Sequence, residues 1–461
     1  MFDPEYLWSW RGRIGRARYL TTGLILLALK YNIDGILANL AGYSWSPVSY
    51  WIFSAPHGIA SLNSADAMFY GVLLLIALPF MLTGTALTLQ RLRDADLPLW
   101  LVMLFFVPFL NVIFFLVLAA IPSRQTVDDG PQPGSRIGRL IPRSEFGSAV
   151  FGAVLTTILA VMEIVFTTTR LGKYGWGLFV GIPFFLGLNS TMIYGYHYPR
   201  TLGRCLQVSL FSVGLVGLAL VGIAIEGIIC LAMALPLAIP LALFGGSIGY
   251  VLQKRAYPTG TLRVASVVCL LLPGLILIEY GLGETPLLYE VKTSVVIKSD
   301  LQTVWTHVVT FSQLPPPTEA MFKTGIAYPI RAEMHGHGVG AERHCVFSTG
   351  AFVEPITVWD EPRLLAFGVS GQPPAMEELS IYSNIHPPHL DNYFVAKRGQ
   401  FELKPLPDGT TLLEGTTWYQ NRYWPAPYWH LWSDHVIETI HTRVLSHIKT
   451  LAEHDEQIGT R

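Results

Sequence analysis

Residues Val264–Leu282 read VASVVCLLLPGLILIEYGL, and past Gly283 the chain turns to Glu290–Ile297, EVKTSVVI. The first run is apolar on every side and about 20 residues long, the length that ~30 Å of hydrocarbon requires at 1.5 Å per residue. The second alternates polar and apolar residues with a period of two, the pattern of a half-buried strand. A lipid-solvated part therefore ends, and a water-solvated part begins, near residue 284.

Upstream lie six more runs of the first kind: Tyr19–Leu40, Met68–Leu89, Phe146–Phe166, Trp176–Tyr196, Leu206–Ile225 and Ile228–Leu252. Composition agrees, with 51% apolar and only 14% charged residues over 461 positions, against about 25% charged in soluble domains. The first run lacks a small-residue cleavage site, so it reads as a retained span. An eighth run, Leu99–Ile121, is interrupted by Pro108 and Asn111, and either spans once or returns as a hairpin. Loop cations favour the hairpin. With it, 15 of them share the N-terminal, cytoplasmic side and only Arg170 and Lys173 face outward; with a span the split is 8 against 9. Seven spans then place the C-terminal domain outside the cytoplasm, and the expected location is a cell (inner) membrane of bacterial type.

Lys30 and Asp34 are four apart on one helix face and can neutralise each other. Glu163, Glu226 and Glu279 sit near expected helix ends, within reach of headgroups. No run of intramembrane charges and no pair of broken helices points to transport. Residues 125–143, rich in Pro, Gly and Asp, read as a linker. The expected division is 1–124, 125–143, 144–284 and 285–455.

Two motifs mark the first part: Trp8-Ser9-Trp10-Arg11-Gly12-Arg13-Ile14-Gly15-Arg16, and Arg91-Leu92-Arg93-Asp94-Ala95-Asp96-Leu97-Pro98-Leu99-Trp100. Together they resemble the membrane family called domain of unknown function 805, which pairs an R-G-R-I-G-R segment with a motif like R-R-L-H-D-x-G-x-x-x-W. Here Arg93 replaces that family's His and Asp96 its Gly. The family lends no activity. Physically, Arg11, Arg13, Arg91, Asp94 and Trp100 would share one membrane face, as anchors, as a contact for lipid phosphates, or with one arginine paired to Asp94.

Downstream of Ile297, Asp300 stands where a helix cap belongs, ahead of Val304, Trp305 and Val308. Strand patterns follow at Arg343–Ser348, Ile356–Trp359, Leu364–Val369, Gly399–Lys404 and Thr411–Tyr419, with Asp408-Gly409 as a hairpin turn. Tyr428–Ala452 is a long amphipathic helix. That order is α+β. It also resembles the START-like, or polyketide cyclase/dehydrase (SRPBCC), superfamily over about 288–454. The likeness rests on Val296–Phe311, Gly338–Arg343, Phe352–Asp360 with Leu364–Phe367, and Gly399–Leu403 with Asp408–Leu412. The resemblance implies a helix-grip domain, a curved antiparallel sheet holding a C-terminal helix round an apolar cavity. Gly371–Leu390, rich in Pro and His, departs from the pattern as a lid or a disordered stretch. The fold expected overall is thus a multi-pass α-helical membrane protein with a C-terminal α+β helix-grip domain.

Charge limits the chemistry. Residues 285–461 carry 13 Lys+Arg and 19 Asp+Glu, which argues against nucleic acid. Cysteines Cys205, Cys230, Cys269 and Cys345 form no CxxC pair and read as small hydrophobes. Eleven of the 13 histidines lie in this domain. With a carboxylate His335, His337 and His344 could bind zinc, but they read first as exposed loop residues, and His386 and His389, which flank a Pro-rich loop, are weaker candidates still; no metal and no cofactor are expected. On the terminal helix His430, Asp434, Glu438 and His441 form a polar stripe, with His435 beside Glu438. The stripe reads first as a solvated face, then as hydrogen bonds at a cavity mouth, and last as acid–base or metal chemistry. Trp418, Tyr423, Trp424, Trp429 and Trp432 cluster between the last strand and this helix, as ligand contacts, bilayer contacts or packing.

The preferred reading is a noncatalytic, membrane-anchored module binding an apolar or lipid-like small molecule, with membrane lipids as its other partner. One alternative is a cyclase-, dehydratase- or hydrolase-like enzyme using His441, Glu438, His430 or Asp434. The other is an interaction platform for an envelope complex.

Overall fold

The computed structural model describes residues 4–43, 45, 50, 64–106, 110–121, 123, 139–255, 271–277, 279–281, 286–382 and 385–459. They divide into two compact units. One is Met1–Ile223 with Ala232–Glu284; the other is Ala224–Leu231 with Thr285–Arg461.

The first unit is helical: α1 (Arg16–Leu40), α2 (Ser64–Asp94), α3 (Leu110–Ala120), α4 (Glu145–Val165), α5 (Ile182–Tyr194), α6 (Leu202–Gly222) and most of α7 (Ile228–Arg255). Among the described residues six helical stretches are long and apolar enough to cross a membrane: Arg16–Leu40, Met68–Asp94, Glu145–Leu171, Gly177–Tyr194, Leu202–Gly222 and Ile228–Lys254. The chain is a multi-pass membrane protein. The seventh expected span, Val264–Leu282, is described only in its second half, within Leu271–Gly281. Of the expected linker, residues 125–138 lie outside the described residues.

Lys30 and Asp34 form the expected ion pair, and the Tyr50 hydroxyl donates to the same carboxylate at 2.6 Å. Leu99–Ile121 consists of a 3₁₀ helix, Leu99–Phe106, and α3. At ~2.0 Å per residue for the first and 1.5 Å for the second, each piece is only ~16 Å long. Both ends of this run meet the C-terminal end of α2. Arg91 donates through Nε to the carbonyl of Leu118 at 3.0 Å, and its guanidinium also bonds the Ile121 carbonyl and Asp94. Ser123 donates to Asp94 as well. The run returns to the point it left, as a hairpin does.

This corrects one expectation. Arg91, read as facing headgroups, is fully buried. The last carbonyls of α3 have no intrahelical partners, and an apolar surrounding offers them no water; Arg91 fills that need. Arg11 and Arg13 are exposed, Trp100 is exposed, and Asp94 is half-buried against Arg91. Glu279 is corrected in the same way. Its carboxylate accepts from the backbone N–H groups of Trp176 at 2.8 Å and Gly177 at 3.2 Å, capping the helix that begins there.

Helix α5 is buried along its whole length. Glycines let α7 approach it closely: a Cβ on Gly245 would lie 2.2 Å from the Phe184 carbonyl, and one on Gly249 would lie 1.9 Å from Thr191 Oγ1. Residues spaced four apart and lacking side chains are how helices approach in lipid, where dispersion rather than water exclusion drives contact.

In the second unit, seven strands form one antiparallel sheet in the order β1-β7-β6-β5-β4-β3-β2. They are β1 (Leu288–Ile297), β2 (Pro329–His335), β3 (Glu342–Phe347), β4 (Gly350–Asp360), β5 (Leu364–Gly368), β6 (Phe394–Pro405) and β7 (Thr411–Asn421), with helices α8 (Leu301–Val309) and α9 (Ala426–Gly459). The curved antiparallel sheet holds α9 against its concave face, a helix-grip arrangement. Val444, Leu445, Ile448 and Ala452 of α9 share one core with Ile297, Val304, Ile356, Leu365, Leu403 and Leu413. Each fully buried aliphatic of this set contributes roughly 1.5–3 kcal/mol. Asp300 caps α8, accepting from the N–H groups of Gln302 at 2.8 Å and Thr303 at 3.1 Å.

Two details differ from the sequence reading. His335 closes a strand, β2, that the reading placed in a turning connection; the turn itself is Gly336–Gly340, where Gly336, Gly338 and Gly340 have φ of +95°, +81° and +89°. The Gly371–Leu390 stretch is also neither lid nor disordered over 371–382 and 385–390. It lies as a strap, bonded to the rest of the unit through Ala327 N–H to the Ala375 carbonyl at 3.0 Å and Glu377 N–H to the Gly325 carbonyl at 2.9 Å.

Candidate functional site: the cavity beneath the terminal helix

Strands β3 to β7 and helix α9 line a partly open cavity of about 120 Å³. Its apolar wall includes Phe347, Phe352, Phe367, Phe394 and Phe401 from the sheet and Ile437, Ile440 and Val444 from α9. Its polar wall includes Arg343, Cys345, Glu354, Arg398, Gln400, Thr416, Thr417 and His441.

Period-two alternation places the charged pair inside. Arg343, Cys345 and Phe347 share the inner face of β3, and Glu354 and Ile356 that of β4, with Arg343 directly opposite Glu354 in the register. The two side chains form an ion pair at 2% and 9% exposure. Such burial normally opposes both charges. Three rings offset part of that cost, since Phe311, Phe367 and Phe401 lie 5.4–5.5 Å from the guanidinium carbon. Arg343 Nε also donates to the Val309 carbonyl at 3.4 Å. Its Nη2 is buried with no hydrogen-bond partner of ordinary geometry among the described residues, and the Cys345 sulfur beside the guanidinium is only a weak acceptor. Burial pushes the Glu354 carboxyl above its ordinary value, opposed by the adjacent guanidinium. Burial, with the Glu354 charge adding, pushes the Cys345 thiol up to about 12, so the sulfur is a neutral wall atom.

His441 is the member of the terminal-helix stripe that reaches this cavity. One ring nitrogen lies 3.2 Å from Thr293 Oγ1 and the other 2.7 Å from Thr417 Oγ1. Burial lowers its pKa to about 4, so the ring is neutral near pH 7. The rest of the stripe stands elsewhere. Glu438 and His435 are exposed. His430 pairs with Asp434 at 2.9 Å, and Asp434 accepts from the Tyr419 hydroxyl at 2.6 Å.

None of the five aromatics read as ligand contacts lines the cavity. Trp418 lies under the Arg398 guanidinium, 4.3 Å from ring to carbon, and donates to Glu290 at 3.0 Å. It is on the face of β7 opposite Thr417 and Tyr419. Tyr423 stacks on Tyr393 and packs against Trp429, with centroids 5.5 and 5.4 Å apart. Trp424 and Trp432 are half-buried. These aromatics secure the entry to α9.

Arg343 and Glu354 were missed as site residues because both fell inside stretches read for their turn and hairpin patterns. The available signal was phase: each occupies an inward position of an otherwise apolar alternation.

Residues 7–128 match the family model described as "Protein of unknown function (DUF805)". No curated protein matches the chain. Solved structures similar to its C-terminal part include a protein from Nitrosospira multiformis, at 16% identity, covering 36% of this chain and 99% of that one, with a TM-score of 0.23. A norcoclaurine synthase point mutant from Thalictrum flavum, in complex with a transition state analogue, matches at 11% identity over 38% and 99%, with a TM-score of 0.26. A Thermobifida fusca protein matches at 18% identity over 36% and 93%, with a TM-score of 0.23.

Proposed function

We propose that this protein is a membrane-anchored binding module, and that its ligand is a small amphiphile held in the helix-grip cavity without chemical change. The observation that carries this reading is the buried Nη2 of Arg343, a charged donor left unmatched at the wall of a phenylalanine-lined space. A buried donor without a partner costs about 1–3 kcal/mol, and an oxygen acceptor on a bound molecule would recover it. Size narrows the class. A cavity of about 120 Å³ is below the ~300–1,000 Å³ of drug-sized pockets and close to the volume that holds one aromatic ring. The ligand therefore pairs a ring or short chain with a carboxylate or carbonyl, and comes from the lipid-like class. His441, kept neutral by burial and held between two threonine hydroxyls, supports a positioning part for that ring rather than a proton-moving one.

The reading includes a cell (inner) membrane location with the C-terminal domain on the extracytoplasmic side, supported by the cation count and by the hairpin at Leu99–Ile121. A compartment-specific reporter fused after Arg461 tests the side.

Ligand binding is tested on the full chain in detergent, by calorimetry with short-chain and aromatic carboxylic acids and with the matching hydrocarbons. Acids should bind in preference to hydrocarbons, and Ala396→Trp, which fills the cavity, should abolish the preference. Equal binding by the filled variant would defeat the proposal.

A further inference from the structure

Away from that cavity, a second group of reactive side chains gathers within the C-terminal unit. Ala224–Leu231 supplies Glu226 and Cys230, and the strap supplies Met376, Glu378 and His389. The Ile228 N–H donates to the Leu379 carbonyl at 2.9 Å, which fixes these two segments against each other. Cys230 Sγ lies 2.9 Å from His389 Nε2 and also bonds the Glu378 carboxylate. Glu378 Oε1 is 3.5 Å from the same ring nitrogen. On the other side of the ring, Nδ1 is 3.2 Å from Glu226 Oε2. Ligand atoms of Glu226, Cys230 and His389 all fall within 4.8 Å of one another.

Three independent features suit a cation. First, the donor set of thiol, imidazole and carboxylate is that of zinc and similar thiophilic ions. Donors of a tetrahedral zinc stand roughly 3.3–3.7 Å apart by its usual bond lengths; His389 Nε2 and Glu378 Oε1 already do, at 3.5 Å, while the Cys230 sulfur, now hydrogen-bonded to both, would draw back by about 0.4–1.2 Å to admit the ion. Second, the Glu378 side chain is fully buried, and its Oε2 has no hydrogen-bond partner among the described residues. Third, a Cβ on Gly227 would lie 1.9 Å from Glu378 Oε2, so the carboxylate reaches the cluster only because residue 227 has no side chain.

We propose that Cys230, His389 and Glu378 bind a thiophilic divalent cation, zinc by the chemistry of its donors. Glu226 Oε2 stands 3.2 Å from His389 Nδ1 as its ion-pair partner, the outer-shell position that carboxylates commonly take beside metal-bound histidines, which leaves Nε2 for the ion. The order Cys230, His389, Glu226 is also that of a thiol nucleophile, its base and an orienting carboxylate. Glu378, however, already bonds the Cys230 sulfur, the atom that would have to attack.

The test uses the full chain in detergent, stripped with a chelator and titrated with cobalt(II), then with zinc(II). One equivalent of cobalt should bind with a thiolate-to-metal charge-transfer absorption that zinc abolishes. Cys230→Ser should remove the absorption, Glu226→Gln should weaken binding by about 10–100-fold, and Cys205→Ser and Cys345→Ser should leave both unchanged. Should Cys230→Ser fail to fold, alkylation of Cys230 in the unaltered chain, mapped by mass, decides: zinc should slow it. No charge-transfer absorption in the unaltered chain, its persistence in Cys230→Ser, or an alkylation rate indifferent to zinc would each overturn the site.

Discussion

Glu354→Gln tests the cavity directly. The change leaves the Arg343 charge, at 2% exposure, without its counter-ion. Breaking a buried pair in this way costs about 3–5 kcal/mol. At 2–4 °C per kcal/mol for a domain of this size, the unfolding midpoint of the C-terminal unit should fall by about 6–20 °C. Removing both charges in Arg343→Met/Glu354→Leu should behave oppositely, because well-packed apolar replacements of buried pairs are neutral or stabilising by about 1–4 kcal/mol. Near-ultraviolet circular dichroism of the full chain in detergent can follow the transition, reading the edge-to-face contact of Trp305 and Trp359 at 5.6 Å. The stable double variant should nevertheless lose its preference for carboxylic acids. If Glu354→Gln unfolds within about 1 kcal/mol of the unaltered chain, the pair is solvated and the reasoning about an unmatched donor fails.

Three further outcomes are expected. The His441 pKa is depressed from 6.5 to about 4, so its contribution to stability is complete above pH 6.5 and is lost as pH falls towards 4. By linkage that loss is roughly 3 kcal/mol, and His441→Asn should flatten the acid limb of a stability–pH curve by about that amount. Gly245→Leu should separate α5 from α7, since its Cβ alone would stand 2.2 Å from the Phe184 carbonyl; loss of the monodisperse peak in detergent chromatography would register it, and Gly214→Leu, facing open space, is the control. Arg91→Lys keeps the charge but cannot bond Leu118, Ile121 and Asp94 together, so proteolysis near residue 121 should accelerate.

Much of this architecture was legible because it rests on local periodicity. Six apolar runs became helices whose ends moved by only a few residues, and Glu290–Ile297 is the strand Leu288–Ile297. The Asp300 cap and the Asp408-Gly409 turn are set by interactions within three residues, which a linear reading captures. β2 escaped because a register shift between Pro329 and Arg331 breaks its period of two, so its inward positions do not alternate. The candidate sites were harder, for a reason of distance along the chain. Arg343 meets Glu354 across a hairpin, but Cys230 meets His389 across 159 positions. No spacing rule reaches that far, and within its own run Cys230 is indistinguishable from a small hydrophobe.

The eight residues Ala224–Leu231 have a consequence for how this protein can be made and dissected. They pack with the C-terminal unit yet are followed by the rest of α7 and by residues 256–284 before that unit resumes at Thr285. On the ribosome this splinter emerges early and must wait, at the mouth of a membrane helix, for a partner not yet translated. A soluble fragment begun at residue 285 would therefore be an incomplete object, and any transplant of the domain must carry the splinter with it.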